Sequence, residues 1–317
     1  MHNPVLYSGV KENMKALKKS ALVLALAAAA AGAQAAEVYG TVDAGYNYSS
    51  VEGKDLSTIS SGGLSDSFIG FRSAEDLGGG LKASFALEAG VNVDTGTTAG
   101  SNLFNREASV GLSQGIHSVK LGRTQTLSYG TVKQFDVFNG ASLGFARSAF
   151  DTAGEYQSNT VSYGLSTGGL TVGLSHALGE QVDGGLDKGS VTAVTAGYTL
   201  GKASVGLTYT DAKDGASNVL VGGAYDFGPA KVTALYQDAK NSTQDNSFVV
   251  GVAAPVKSVT LKASAGYLKM VDGSKADLFT VGAEHSLSKR TTAYVSAGRV
   301  SGDLSADTFS IGVNHKF

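Results

Sequence analysis

The 317-residue sequence contains no cysteine and no tryptophan, and it has only 3 prolines. The absence of cysteine excludes a disulfide scaffold. The formal net charge is -2 at pH 7, so a strongly basic surface for nucleic acid is not indicated. Residues 36–317 also lack a proline-rich or charge-rich linker, and we therefore expect them to form one domain.

Long apolar runs are also scarce, and the longest run that we consider lies near the N-terminus. Lysines precede an apolar run over residues 21–31, and a small-residue cleavage motif ends at Ala35. This order is typical of a secretory signal, and the run is shorter than the roughly 20 apolar residues of a membrane anchor. We predict a leader and signal peptide over residues 1–35, with translation starting at Met14. A longer genuine leader is the alternative.

From residue 36 onward, apolar and polar residues alternate with a period of two, without a sustained helical stripe. Many runs carry about 9 to 11 alternating positions, the length of a tilted strand that crosses a bilayer, whereas strands of soluble sandwiches have about five or six. An even number of such strands favours a closed transmembrane antiparallel β-barrel, in which no backbone group is left unpaired in lipid. We predict an all-β fold of sixteen strands, at residues 38–49, 67–76, 81–93, 105–113, 117–125, 159–167, 170–178, 191–200, 202–212, 217–227, 230–239, 246–254, 258–270, 277–287, 291–301 and 307–317.

The last predicted strand ends in an aromatic residue. Phe309, Ile311, Val313 and Phe317 share one of its faces. This pattern is typical of the closing strand of an outer-membrane barrel, and we predict that these four residues form its membrane-insertion signature.

The predicted connections alternate between short turns and longer polar segments, which include 50–66, 94–104, 179–190 and 240–245. This alternation is typical of outer-membrane barrels, which have tight periplasmic turns and longer external loops. The third long loop, residues 126–158, is exceptional because it carries several phenylalanines that need a surface to pack on. We therefore expect this loop to fold into the barrel lumen and to narrow it.

Strand parity predicts which charged side chains point into the lumen, where they would select ions electrostatically. Strand parity directs the side chains of Arg106 and Arg123 away from the lumen, so we place these residues at a rim or beside a bulge. The predicted pore-lining or constriction residues are Asp43, Arg72, Lys82, Glu88, Glu107, Lys120, Asp136, Arg147 and Asp151, with Glu155 also on the inserted loop.

The runs at 67–90, 103–126, 285–295 and 312–317 resemble the trimeric general porins of beta-proteobacteria, and the resemblance covers residues 36–317. It implies a homotrimer of sixteen-stranded barrels in the outer membrane that passes small hydrophilic solutes and ions by diffusion. Outer-membrane lipids and the barrel-assembly machinery are the other partners it implies. No cofactor, metal or nucleic acid is expected.

Two positions depart from that family pattern. Many members carry an arginine where Phe68 stands, and a basic or neutral residue where Glu107 stands. Such members often favour anions. We therefore expect a weakly selective constriction of mixed charge.

Two other classes of function stay open from the residues alone. A barrel hydrolase would have eight to twelve strands and no inward loop, and a secreted structural protein or adhesin would show a fixed repeat period. A calcium site at Asp272–Ser274 or in the loop at 181–189 is disfavoured, because calcium needs about six to eight oxygen ligands.

Overall fold

The computed structural model describes residues 36–179, 189–213, 215–240 and 242–317. The described residues form one antiparallel sheet of sixteen strands that closes on itself, as the alternation predicts. The strands are β1 Glu37–Val51, β2 in two segments (Lys54–Ser61 and Phe68–Gly78), β3 Leu81–Asn92, β4 Ala108–Gln114, β5 His117–Gln125, β6 Tyr156–Thr167, β7 Leu170–Ala177, β8 Val191–Leu200, β9 Ala203–Ala212, β10 Ser217–Asp226, β11 Lys231–Lys240, β12 Gln244–Val256, β13 Val259–Met270, β14 Lys275–Ser286, β15 Thr291–Gly302 and β16 Ala306–Lys316. A two-residue strand at Thr97–Thr98 pairs with the end of β3.

The barrel closes where β1 pairs with β16. The register runs from Thr41 opposite Lys316 to Val51 opposite Ala306. The terminal Phe317 extends this closure, since its amide donates to the carbonyl of Gly40 at 3.1 Å and its carbonyl accepts from the amide of Gly40 at 3.2 Å. Closure leaves no open edge in the sheet that the described residues form, which is the condition for crossing lipid with strands.

The two faces of the barrel have opposite chemistry. On β4, Val110 and Leu112 are 54% and 51% exposed on the outside, whereas Ser109 and Gly111 are buried on the inside. Phe309, Ile311, Val313 and Phe317, which the sequence predicts as a membrane-insertion signature, are likewise exposed. This apolar outer surface would be unfavourable in water and is favourable against acyl chains.

The structure contains two helices among its described residues, α1 at Leu127–Phe135 and α2 at Ala146–Ala149. Neither is long and apolar enough to span a membrane. Both belong to the segment between β5 and β6, residues 126–155, which we call the inserted loop. Thr126 begins α1 as its N-cap, because its hydroxyl accepts from the amide of Tyr129 at 3.3 Å.

The inserted loop folds into the lumen, as its aromatic content predicts, and α1 packs against the inner wall from β7 to β11. Phe135 is buried over two glycines of that wall. A Cβ atom at Gly222 would lie 2.2 Å from the Phe135 ring, and one at Gly206 would lie 2.7 Å from it. The main apolar core therefore lies inside the barrel, between loop and wall, and includes Val132, Leu220 and Leu235.

Polar contacts fasten the same loop to the wall. Hydroxyls of Ser128 and Thr131 lie 2.5 and 2.7 Å from those of Thr210 and Thr208. The side chain of Gln237, which is fully buried, both accepts from the amide of Asp151 and donates to its carbonyl, each at 2.7 Å. These bonds satisfy groups that the apolar packing would otherwise leave buried and unpaired.

The prediction of a long loop at 50–66 is wrong. β1 continues into the first segment of β2 through the two-residue turn Glu52–Gly53, where both residues have positive φ (50° and 74°), as in a type I′ hairpin. The period-two alternation does not indicate a strand here, because the apolar residues Leu56 and Ile59 fall on opposite faces.

Candidate functional site

The second strand of the barrel is broken inside the membrane-crossing sheet. Ser61 lies opposite Ala44 of β1, and Phe68 lies opposite Thr41. Between these two pairs the chain advances seven residues along β2 but only three along β1, and the four extra residues are accommodated in the segment 62–67. This segment folds inward, and we call it the β2 break. It carries Asp66 into the lumen.

Asp66 bridges two arginines from different parts of the chain. Its Oδ2 lies 2.6 Å from Nη1 of Arg106, and its Oδ1 lies 2.8 Å from Nη1 of Arg147 on the inserted loop. Arg147 also pairs with Glu155, and Nε of Arg106 lies 3.2 Å from Oε2 of Glu88. These five residues form a connected network across the lumen, which we call the constriction cluster.

The cluster holds its charges despite partial burial. Burial by itself would raise the pKa of the Asp66 carboxyl, but the guanidinium groups of Arg147 and Arg106 outweigh it and lower that pKa below its usual 3.8. Arg106 also stacks over aromatic rings, with its guanidinium carbon 4.6 Å from the centroid of Phe68 and 5.1 Å from that of Tyr156. Planar guanidinium groups suit such combined pairing and stacking.

Two cavities meet at this cluster. One, of about 550 Å³, opens toward the long loops and is lined by Gly62, Asn105 and Arg123 among others. The other, of about 440 Å³, opens toward the short turns and includes Lys133 and Lys316. Asp66, Arg106 and Arg147 line both cavities. The bridge through Asp66 is therefore the partition between an outer and an inner vestibule.

Three further cations, Arg123, Lys133 and Lys316, line these vestibules without a carboxylate within ion-pair distance in the described part of the chain. Arg123 donates instead to the carbonyl of Asn105 at 2.7 Å and to the hydroxyl of Ser158 at 2.8 Å. Lys133 lies over the ring of Tyr129, with Nζ 5.6 Å from the centroid. Burial, with Arg106 nearby, lowers the pKa of Lys133.

Arg123 and Arg106 reach the lumen for local reasons. The β5–β6 register shifts between Gly122 and Thr124, so Arg123 lies beside a bulge, which changes the direction of its side chain. Arg106 precedes β4 and is not bound by its parity. Parity alone therefore misplaces both.

The other predicted charges occupy several levels of the barrel. Arg72 pairs with Glu37 at 2.8 Å near the short turns, and Lys120 pairs with Glu107 at 2.9 Å on the wall. Lys82 lies opposite Asp76 on the same half of β3 as the turn. Glu88 and Arg147 belong to the constriction cluster described above.

Two predicted lining residues, Asp43 and Asp136, do not line the channel, and the prediction is wrong for them. Asp43 is 0% exposed, and Asp136 is 4% exposed, with its carboxylate accepting from the amide of Gly140 at 2.8 Å. The side chain of Asp151 is half-buried, and its carboxylate accepts from the hydroxyl of Ser242 at 2.7 Å, so its place in the pore stays a prediction. Strand parity predicts the side of the wall, but the inserted loop and the β2 break then cover part of that side.

Sequence reasoning missed Asp66, Lys133 and Tyr129. Asp66 lies in the segment 50–66, which the alternation predicts to be an external loop, and the pair Gly62-Gly63 between two strand-like runs is the one signal for an inward turn. Whether Lys133 and Tyr129 of α1 face the lumen depends on the path of the inserted loop, and the sequence pattern does not determine that path.

The calcium hypothesis finds no support among the described residues, where no group of three or more acidic or histidine side chains could hold a metal. Asp272 instead accepts from the amide and the hydroxyl of Ser274, at 2.9 and 2.6 Å, in a local turn. The alternative at 181–189 lies outside the described residues except for Gly189.

Comparisons with known proteins agree with this architecture. The Gram-negative porin family matches residues 20–305. Outer membrane porin protein 32 of Delftia acidovorans is 31% identical over 312 residues, which cover 88% of each chain. The major outer membrane protein P.IB of Neisseria meningitidis serogroup B (strain H44/76) is 29% identical, covering 95% of this chain and 100% of that one.

A solved structure gives the same result. The anion-selective porin from Comamonas acidovorans superimposes with a TM-score of 0.78 at 27% identity, covering 89% of this chain and 99% of that one. Sixteen strands with an inward loop also differ from the barrel that a hydrolase would need. The chain therefore belongs to the Gram-negative porin family and is an outer-membrane channel for passive diffusion rather than an enzyme.

Proposed function

We propose that this channel passes small hydrophilic solutes and ions through a mixed-charge constriction that prefers anions weakly. The observation that carries the proposal is the Asp66 bridge between Arg106 and Arg147, where the two vestibules meet. A solute that passes between the vestibules travels alongside charges of both signs. Neither cations nor anions are then strongly excluded from the channel.

The charges around the partition cancel in large part. The constriction cluster contributes two guanidinium groups and three carboxylates, and Arg123, Lys133 and Lys316 add three cations without carboxylate partners in the described residues. Lys120 and Glu107 neutralise each other nearby, as do Lys262 and Glu284 on the inner wall. Two positive charges are left in excess, which supports a weak preference for anions.

The expected size of the effect follows from Coulomb's law in a wet pore. One unit charge about 5 Å from a passing ion contributes about 0.8 kcal/mol at the dielectric constant of water, or roughly a fourfold change in relative permeability. Salt at about 0.1 M screens beyond about 10 Å and reduces this further. The Comamonas relative is described as anion-selective, and the proposed preference has the same sign.

Reversal potentials across a KCl gradient test this proposal in planar bilayers. Asp66→Asn removes a negative charge from the partition and should raise the chloride-to-potassium permeability ratio by roughly threefold. Lys133→Gln should lower it. Asp272→Asn, an exposed turn carboxylate outside the two vestibules, is the matched control and should leave the ratio unchanged. Equal ratios in all four proteins would refute the mixed-charge constriction.

The wider assembly is also part of the proposal. The similarity to trimeric porins supports a homotrimer surrounded by outer-membrane lipids and inserted by the barrel-assembly machinery, and residues 1–35 are proposed as the leader removed on export. Native mass spectrometry of the detergent-extracted protein tests the trimer, with a monomer as the contrary result. Mass spectrometry of the mature N-terminus tests cleavage after Ala35.

A further inference from the structure

A buried carboxylate lies behind the β2 break. Asp43 is 0% exposed, and in the described structure no lysine, arginine or histidine lies within ion-pair distance of it. A buried charge without a counter-ion is costly unless hydrogen bonds compensate it fully. The hydrogen-bond donors around this carboxylate should therefore indicate its role.

The carboxylate of Asp43 is compensated mainly by the β2 break itself. Its Oδ1 accepts from the amide of Gly63 at 3.0 Å, and its Oδ2 accepts from the amides of Leu64 and Ser65 at 3.0 and 3.1 Å. Three consecutive backbone N–H groups thus converge on one side chain. These are groups that lost their sheet partners where the strand is interrupted.

Two side chains from the far end of the sequence complete the arrangement. The hydroxyl of Tyr294 donates to Oδ1 at 2.8 Å, and Nδ2 of Asn314 donates to Oδ2 at 2.9 Å. Asn314 also donates to the hydroxyl of Ser65 at 2.7 Å. Tyr294 fits closely, since a Cβ atom at Gly63 would lie 2.1 Å from its hydroxyl oxygen.

The main chain of Asp43 binds the other end of the same segment. Its amide donates to the hydroxyl of Ser67 at 2.8 Å, and that hydroxyl donates back to its carbonyl at 2.9 Å. The break also contacts the inserted loop, because the amide of Leu143 donates to the carbonyl of Gly63 at 3.3 Å. Asp66, between Ser65 and Ser67, is thus held from both sides.

We propose that Asp43 is a positioning residue for channel selectivity, which acts by holding the β2 break inward so that Asp66 can bridge Arg106 and Arg147. The β2 break is then a second constriction element, independent in sequence from the inserted loop. This inference rests on the proposed mixed-charge constriction. It gives a function to a charge that does not touch the permeating ion.

Asp43→Asn tests the inference with little change in volume. An asparagine offers one acceptor oxygen, so its NH₂ group must face either the Leu64 and Ser65 amides or the Gly63 amide and the Tyr294 hydroxyl. Donor against donor is unfavourable in a buried site, and the segment should move away. Asp66 should then lose its arginines, and the chloride-to-potassium permeability ratio should rise in the same direction as in Asp66→Asn.

The double variant separates positioning from a direct electrostatic effect. If Asp43 acts through Asp66, Asp43→Asn should cause at least half of the Asp66→Asn shift, and adding it to Asp66→Asn should cause no further shift. Asn47→Ala is the matched control, because Asn47 also bridges neighbours of β1, Ser60 and Ser310, but does not bond to the β2 break. Its ratio should stay at the wild-type value.

Each outcome has a distinct meaning. An unchanged ratio in Asp66→Asn refutes the proposed constriction, whereas a shift in Asp66→Asn without one in Asp43→Asn refutes only the positioning role. Additive shifts refute it as well, since Asp43 would then act independently. If Asp43→Asn fails to assemble, Tyr294→Phe decides: it removes one of the five bonds and should shift the ratio in the same direction by less, and no shift would overturn the inference.

Discussion

The packing of Phe135 on bare backbone gives a sharp test of how the inserted loop is held. In Gly222→Ala, the new methyl group would lie 2.2 Å from Cδ2 and 2.6 Å from Cγ of a ring that is 1% exposed. The ring must move by about 1 Å or more to regain van der Waals contact. Because Phe135 ends α1 against the wall, the helix should move with it.

The expected cost can be estimated from both states of the chain. Overpacking a buried site costs about 1–3 kcal/mol. Replacing glycine by alanine in a strand returns about 0.5–1 kcal/mol through lost conformational freedom of the unfolded chain. The net destabilisation should therefore lie between about 0 and 2.5 kcal/mol, and the 2.2 Å approach favours the upper half of that range. It should fall when Phe135→Leu is added, because the smaller side chain leaves room for the methyl group.

Neighbouring Gly223 supplies the control. A Cβ atom there meets only the carbonyl oxygen of Ser204, at 3.9 Å, so Gly223→Ala should be neutral or slightly stabilising. Urea unfolding in lipid vesicles gives the free energies, and single-channel recording reports the position of α1 through the conductance. If Gly222→Ala and Gly223→Ala behave alike, or if Gly222→Ala and Phe135→Leu are additive, the packing of the loop on the glycine wall is refuted.

Two further predictions concern the same lumen. Since the folded pKa of Asp66 lies below the usual 3.8, its bridge is fully formed above that value and is lost only as the pH falls through the lower folded pKa. The permeability ratio should thus be constant from about pH 7 to 5 and turn toward anions only below the usual 3.8, and the Asp66→Asn channel should show a smaller pH response, because only Glu88 and Glu155 of the cluster then remain to be protonated. Gln237→Leu removes both bonds to the backbone of Asp151 and should cost about 1–3 kcal/mol while increasing current noise, whereas an unchanged noise spectrum would show that the loop is held without them.

Much of the architecture follows from local pattern. A period of two over residues 258–270 predicts a strand, and the structure has one at Val259–Met270. Alternation also separates the lipid face from the lumen face, because successive side chains of a strand point to opposite sides. The inward path of residues 126–155 follows from their phenylalanines, which cannot remain in water.

The functional centre depends on contacts between distant parts of the chain. Asp43 and Tyr294 are 251 positions apart and meet only because the barrel closes. Strand parity predicts that the side chain of Asp43 faces inward, yet its burial depends on the β2 break that covers it. The alternating pattern gives no sign of four extra residues within a strand. A permeating ion therefore meets only the charged side chains that the inserted loop and the β2 break leave uncovered. Which side chains these are depends on the folded barrel as a whole.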